Sequence, residues 1–103
     1  MKKNNDIDKW LKSLKDIKKI CLKELKDADF YLFGSFIEGK YLPSSDIDVL
    51  IVSKNMPKKI SERSKIKAMI WKKIGIFNPF EFHLVNYDEF EWYKKFVKKL
   101  KAF

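Results

Sequence analysis

Arginine is almost absent from a chain that carries a formal net charge of +9; Arg63 is the only one, and nearly all the positive charge is lysine. A basic surface attracts nucleic acid, triphosphates or an acidic partner. Arginine, however, is the side chain best suited to bidentate readout of phosphates and base edges. Its scarcity argues against nucleic acid as the main partner, and a composition rich in Lys, Ile and Asn reflects coding bias as readily as ligand choice. Cys21 is the only cysteine, which excludes an intrachain disulfide and a cluster of thiolate metal ligands. No apolar run approaches the roughly 20 residues that span a bilayer. The basic start, MKKNNDIDKW, leads into a charged amphipathic segment without the apolar stretch of a signal peptide. These absences predict a cytoplasmic protein with no membrane partner. What remains is 46% hydrophobic and 16% aromatic, enough for one modest core, so residues 1–103 are expected to form a single domain.

The periodicities divide the chain into helices and strands. Ile7, Trp10, Leu11, Leu14, Ile17, Cys21, Leu22 and Leu25 recur at helical spacing, predicting an amphipathic helix over 7–25 with Cys21 in its core stripe. Residues 29–33 read as a strand that stops at Gly34. A short helical turn is expected over 35–40, then a loop from Tyr41 to Ser45 punctuated by Pro43. Asp46 to Ser53 reads as a second strand, and Asn55-Met56-Pro57 breaks the chain. Residues 60–75 read as a helix with Ile60, Ile66, Met69, Ile70 and Ile74 on one side. Phe80 to Val85 alternates as a third strand after Pro79. Asn86 with Glu89 three residues later resembles a capping box that opens a last helix running to about Leu100. The fold class is α/β (α+β): a small mixed sheet of three strands or slightly more, flanked by helices.

Two aspartates at the start of the second strand carry the chemistry. Asp46 and Asp48 are two apart, so they share a face, with Cα atoms roughly 6.5 Å apart. Val49 to Val52 is apolar on both faces, which marks a central strand. If the Gly34-Ser35 pair that ends the first strand serves the same site, the first two strands run antiparallel. A helix of about 16 residues then suffices for a crossover to a parallel third strand, which sets Glu81 beside Asp46 and Asp48. Carboxylates so placed suit magnesium, a hard cation held by one or two carboxylates plus substrate phosphates. Two such ions clamp the attacking and leaving oxygens of an in-line displacement, and a third carboxylate helps deprotonate an incoming hydroxyl. Gly34 allows a phosphate close to the backbone, Ser35 adds a hydroxyl, and N–H groups at a following helix start favour negative charge. Positioning and charge neutralisation are most of what such a transfer requires.

Gly34-Ser35, ten intervening residues, then Asp46-Ile47-Asp48 resembles the signature of the DNA polymerase beta-like nucleotidyltransferase superfamily. In its short length the chain is most similar to the minimal nucleotidyltransferases, the resemblance covering residues 25–90. The resemblance implies a mixed sheet flanked by helices. It further implies Asp46 and Asp48 as ligands of two magnesium ions, Gly34 and Ser35 as the triphosphate cradle, and Glu81 as the third catalytic and metal-binding carboxylate. Many members carry Asp at that last place; Glu81 is one methylene longer, which shifts its reach to the metal. The implied reaction transfers a nucleoside monophosphate, AMP from ATP, to a hydroxyl. The family context implies an antitoxin that pairs with a HEPN-domain protein, in some cases by adenylylating a tyrosine of that partner.

Other features are read more plainly. His83 shares the face of Glu81 and is read as a partly exposed strand histidine rather than a site residue. Lys40 and Lys54 fall in loops near the expected site and are read as solvated. Phe90, Tyr93, Val97 and Leu100 satisfy one face of the last helix, leaving Trp92, Phe96 and Phe103 as apolar excess of the kind that marks a partner or homo-oligomer surface. That excess motivates the alternative function, a non-catalytic module that neutralises a partner by stoichiometric contact. A glycosyltransferase reading of Asp-x-Asp is set low, because there the motif follows a strand within a much larger domain.

Overall fold

The computed structural model describes residues 8–40, 42 and 45–103. Expectations at Ile7, Tyr41, Pro43 and Ser44 therefore fall outside the described residues. Helical residues 8–12 lead through a tight turn at Ser13 into helix α1, Leu14–Leu25. Strand β1 is Asp29–Phe33, β2 is Ile47–Val52, helix α2 is Ile60–Ile74, β3 is Phe80–Val85, helix α3 is Tyr87–Phe96, and β4 is Lys101–Ala102. The four strands form one mixed sheet in the order β3-β2-β1-β4. β1 pairs antiparallel with β2, and β2 pairs parallel with β3. The strand directions therefore agree with those expected from the sequence.

β2 is the centre of the molecule, with every residue from Val49 to Val52 fully buried. Its alternation splits the core in two. Ile47, Val49 and Ile51 pack with Ile17, Cys21 and Leu25 of α1 and with Ile66 and Ile70 of α2. Leu50 and Val52 face the other way, into a smaller cluster with Val85 and Phe90, flanked by Tyr31, Phe33, Tyr93 and Leu100. Since alternate residues share a face, Asp48 lies on the α3 side of the sheet. Cys21 is a core residue, and burial pushes its thiol up to about 12, so it does not ionise at neutral pH.

Four expectations need correction. The last helix ends at Phe96 rather than near Leu100: Val97 is already extended, and the chain returns to add β4 to the edge of β1. Three contacts hold that return. Leu100 packs into the α3-side cluster, Phe103 lies against Phe30 at a ring separation of 5.7 Å, and the Phe103 N–H donates to the Phe30 carbonyl. Phe103 is thus packed against the core, whereas Trp92 and Phe96 are exposed, as the apolar excess predicted. On α2, Ile60 and Met69 are exposed, and Arg63 takes a buried position between helix and sheet. Finally, Lys54 follows the far end of β2, beside Asp27. At about 3.3 Å per strand residue, that is far from Asp48.

Arg63 is 7% exposed and holds three elements together. Its Nε donates to the Pro57 carbonyl at 2.6 Å. Its Nη1 donates to the Leu84 carbonyl at 2.9 Å and to Glu89 Oε1 at 2.8 Å. Glu89 in turn accepts from the Asn86 N–H while Asn86 Oδ1 accepts from the Glu89 N–H, so the arginine is tied into the capping box of α3. Arg63→Ala strands two carbonyls and a carboxylate, and should cost about 2–4 kcal/mol of folding stability. Arg63→Lys should recover only part of this, because an ammonium cannot serve acceptors in different directions from one plane. Urea unfolding monitored by circular dichroism measures both, and an Arg63→Ala variant as stable as wild type would refute the assignment.

Candidate active site

The ladder registers decide which side chains meet. The Ile47 N–H donates to the Pro79 carbonyl at 2.7 Å and aligns the starts of β2 and β3. Asp48 is then opposite Glu81, and Leu50 opposite His83. On the other side, Phe33, the last residue of β1, is opposite Asp48, so Gly34 turns away directly beside the aspartate. Gly34 has φ +84°, a left-handed conformation that favours glycine. A Cβ on Gly34 would lie only 2.2 Å from Asp48 Oδ2. The carboxylate occupies the space that the missing side chain leaves.

Beyond Gly34 the chain runs through hydrogen-bonded turns at 35–39 rather than a regular helix. The Gly34 carbonyl accepts from the Ile37 and Glu38 N–H groups, both at 3.1 Å, and the Ser35 carbonyl accepts from the Lys40 N–H at 2.9 Å. Ser35 is half-buried at the start of this turn, and Lys40 is exposed at its end.

Asp48, Glu81 and His83 each bring one donor atom into a group whose members all lie within 4.8 Å of one another. His83 Nε2 is 3.2 Å from Asp48 Oδ1 and 3.9 Å from Glu81 Oε1. Asp46 is exposed, one residue ahead of β2, and is not a member of this group. The structure thus brings together two of the three expected carboxylates and adds a residue that reads from sequence as an ordinary strand histidine. Two carboxylate oxygens and an imidazole nitrogen, converging and partly shielded, are a donor set that fits a divalent cation.

His83 is fixed from behind. Its Nδ1 is 3.1 Å from the Tyr93 hydroxyl, and its ring lies 5.1 Å from the Phe33 ring and 5.7 Å from the Tyr93 ring. Tyr93 comes from α3, so the helix on this side of the sheet reaches directly into the cluster. Burial raises the Tyr93 pKa, and the Glu89, Glu81 and Asp48 carboxylates raise it further. The phenol therefore stays protonated at neutral pH, with both a donor and an acceptor to offer. No sequence signal links Tyr93 to the site; the signal for His83 is its position two residues after Glu81.

A family model described as nucleotidyltransferase domain matches residues 14–102. The chain belongs to the nucleotidyltransferase domain family. Among solved structures, this nucleotidyltransferase domain is similar to one provisionally titled a nucleotidyltransferase, with 37% identity and a TM-score of 0.73 over 87% of this chain and 96% of that one. It is also similar to a provisionally titled nucleotidyltransferase from Sulfolobus solfataricus, with 26% identity and a TM-score of 0.66 over 90% of this chain and 78% of that one. Poly(A) RNA polymerase protein 1 of Saccharomyces cerevisiae is 39% identical over 56 residues, which are 54% of this chain and 8% of the yeast protein. A provisionally named protein adenylyltransferase of Methanocaldococcus jannaschii is 32% identical over 65 residues, 61% of this chain and 40% of the archaeal one. The nucleotidyltransferase domain spans less than half the length of either of these two relatives. Among its described residues, no helix is long and apolar enough to cross a membrane.

Proposed function

We propose that this chain transfers AMP from ATP to a hydroxyl group of a protein acceptor and releases pyrophosphate. One observation carries the reading. Asp48 and Glu81 are cross-strand neighbours on one face, and the Asp48 carboxylate fills the space beside Gly34, where the turn at 35–39 begins. In this reading Asp46, Asp48 and Glu81 hold divalent cations, two magnesium ions in the simplest form, while Gly34 and Ser35 receive the triphosphate. Bound there, the cations supply neutralisation of the charge on the triphosphate and on the reacting phosphorus. The chain's own groups do the rest. The turn after Gly34 orients the triphosphate so that the leaving pyrophosphate lies in line with the incoming hydroxyl. Glu81, the more exposed carboxylate of the pair, takes the proton of that hydroxyl. The acceptor oxygen forms its bond to the α-phosphorus as the bond to the β-phosphate oxygen breaks.

The acceptor in this proposal is a HEPN-type partner protein, with the chain acting as its antitoxin. The M. jannaschii relative, named for transfer to protein, supports a protein acceptor. The test uses ATP labelled on the α-phosphate, a divalent cation and the protein encoded by the adjoining reading frame. Label should appear on that protein from α-labelled ATP and not from γ-labelled ATP. Transfer of the γ-label instead would refute nucleotidyl transfer.

A second reading rests on a different surface. Trp92 and Phe96 are 58% and 65% exposed, with ring centroids 4.7 Å apart on α3. Such a pair suits a partner interface or a homo-oligomer contact, through which the chain would neutralise its partner by contact alone. Paired Trp92→Glu and Phe96→Lys substitutions should then abolish neutralisation, while Asp48→Asn leaves it intact. The reverse pattern supports the enzyme.

A further inference from the structure

We infer that His83 is a nitrogen ligand of the divalent cation at Asp48 and Glu81, and that this raises the site's affinity for Mn2+ or Co2+ relative to that for Mg2+. The inference rests on the proposed function only in taking Asp48 and Glu81 as metal ligands. Donor atoms about 2.1 Å from one ion lie about 3 Å apart at adjacent octahedral positions and about 4 Å apart at opposite ones. The His83 Nε2 separations of 3.2 Å from Asp48 Oδ1 and 3.9 Å from Glu81 Oε1 fall within that span. The Asp48 and Glu81 donors lie within 4.8 Å of each other, so a modest turn of the exposed Glu81 side chain lets one ion reach all three donors.

The surroundings of the imidazole are those of a ligand. A metal-bound histidine characteristically hands its other ring N–H to a fixed partner, which sets the tautomer and the ring orientation. Here that partner is the Tyr93 hydroxyl at 3.1 Å from Nδ1, and the Phe33 ring packs beside both the imidazole and the Tyr93 ring. Because a protonated phenol both donates and accepts, two tautomers are served. Before a cation binds, Nε2–H donates to Asp48 Oδ1 and the Tyr93 hydroxyl donates to Nδ1. With a cation on Nε2, Nδ1–H donates to the Tyr93 oxygen. The donor set then holds one imidazole and two carboxylates. Magnesium prefers oxygen ligands throughout, whereas an imidazole adds affinity for first-row transition metals.

His83 is the chain's only histidine, so an imidazole signal from the untagged protein has one source. Pulsed electron paramagnetic resonance of the Mn2+-loaded chain, without nucleotide, should show imidazole 14N coupling. The coupling should vanish in His83→Gln and survive in Tyr93→Phe. His83→Gln should weaken Mn2+ binding by about tenfold or more and Tyr93→Phe by about tenfold, with Mg2+ binding little changed in either. Glutamine keeps an N–H donor within reach of Asp48, so the substitution separates ligation from hydrogen bonding. Mn2+ binding that depends on Asp48 but shows no 14N coupling would overturn the inference and leave the proposed function standing. Mn2+ binding indifferent to Asp48→Asn, or no Mn2+ binding, would also overturn the inference, while transfer of the α-label tests the proposed function separately.

Discussion

Asn in place of Asp48 is expected to lower nucleotidyl transfer by about a thousandfold while leaving the fold intact. The magnitude follows from the charge. A carboxylate that holds a cation against a triphosphate contributes several kcal/mol to a charged transition state, and each 1.4 kcal/mol is about tenfold in rate. Asparagine has the same shape and keeps an oxygen that accepts from His83 Nε2–H, now 3.2 Å away. It also removes a negative charge from a side chain that is 24% exposed and sits close to Glu81. Folding stability should therefore be unchanged or slightly higher. A filter assay for α-labelled nucleotide on the acceptor, run beside a thermal melt, measures both quantities. Transfer at the wild-type rate would remove Asp48 from the chemistry; a collapsed melt would show that its role is structural.

The face shared by Asp48 and Glu81 is legible in the amino-acid sequence. It follows from strand alternation and from a crossover helix long enough for parallel pairing. Both are local consequences of spacing, and the register of Asp48 opposite Glu81 agrees with them. Arg63 falls at helical spacing before Ile66 and Ile70, but an arginine there gives no hint of its worth, which is tertiary: its acceptors lie at Pro57, Leu84 and Glu89. Ile60 and Met69 stand in solvent because they lie on opposite flanks of the buried stripe of Ile66 and Ile70, about 180° from each other at 100° per residue. β4 escapes sequence reading because two residues are too few to show alternation, and lysines at 98, 99 and 101 resemble the end of an amphipathic helix. His83 is undervalued by its sequence for a related reason. Its partner Tyr93 is ten residues on in a different element, and their meeting depends on how α3 crosses the sheet.

Gly34→Ala should damage both stability and activity, and the two effects can be separated. The backbone effect comes from φ +84°, where an L side chain costs about 1–2 kcal/mol. The steric effect is specific to this glycine: the new Cβ would stand 2.2 Å from Asp48 Oδ2 and 3.2 Å from its Cγ. Contacts that short force the carboxylate to swing away, which carries Oδ1 off His83 and leaves Glu81 without its neighbour. The methyl also fills the approach a phosphate needs. Misplacing a reacting group by about 1 Å typically costs about a hundredfold in rate, and activity should fall at least that far. Gly39 provides the control, with φ +78° and no atom within 4 Å of its would-be Cβ. Gly39→Ala should lose about 1–2 kcal/mol from the same backbone strain, but keep most of its activity. Equal losses of activity in the two variants would show that the turn's flexibility matters and the packing against Asp48 does not. Loss confined to Gly34→Ala would show that a glycine stands at the end of β1 because the Asp48 carboxylate needs its volume.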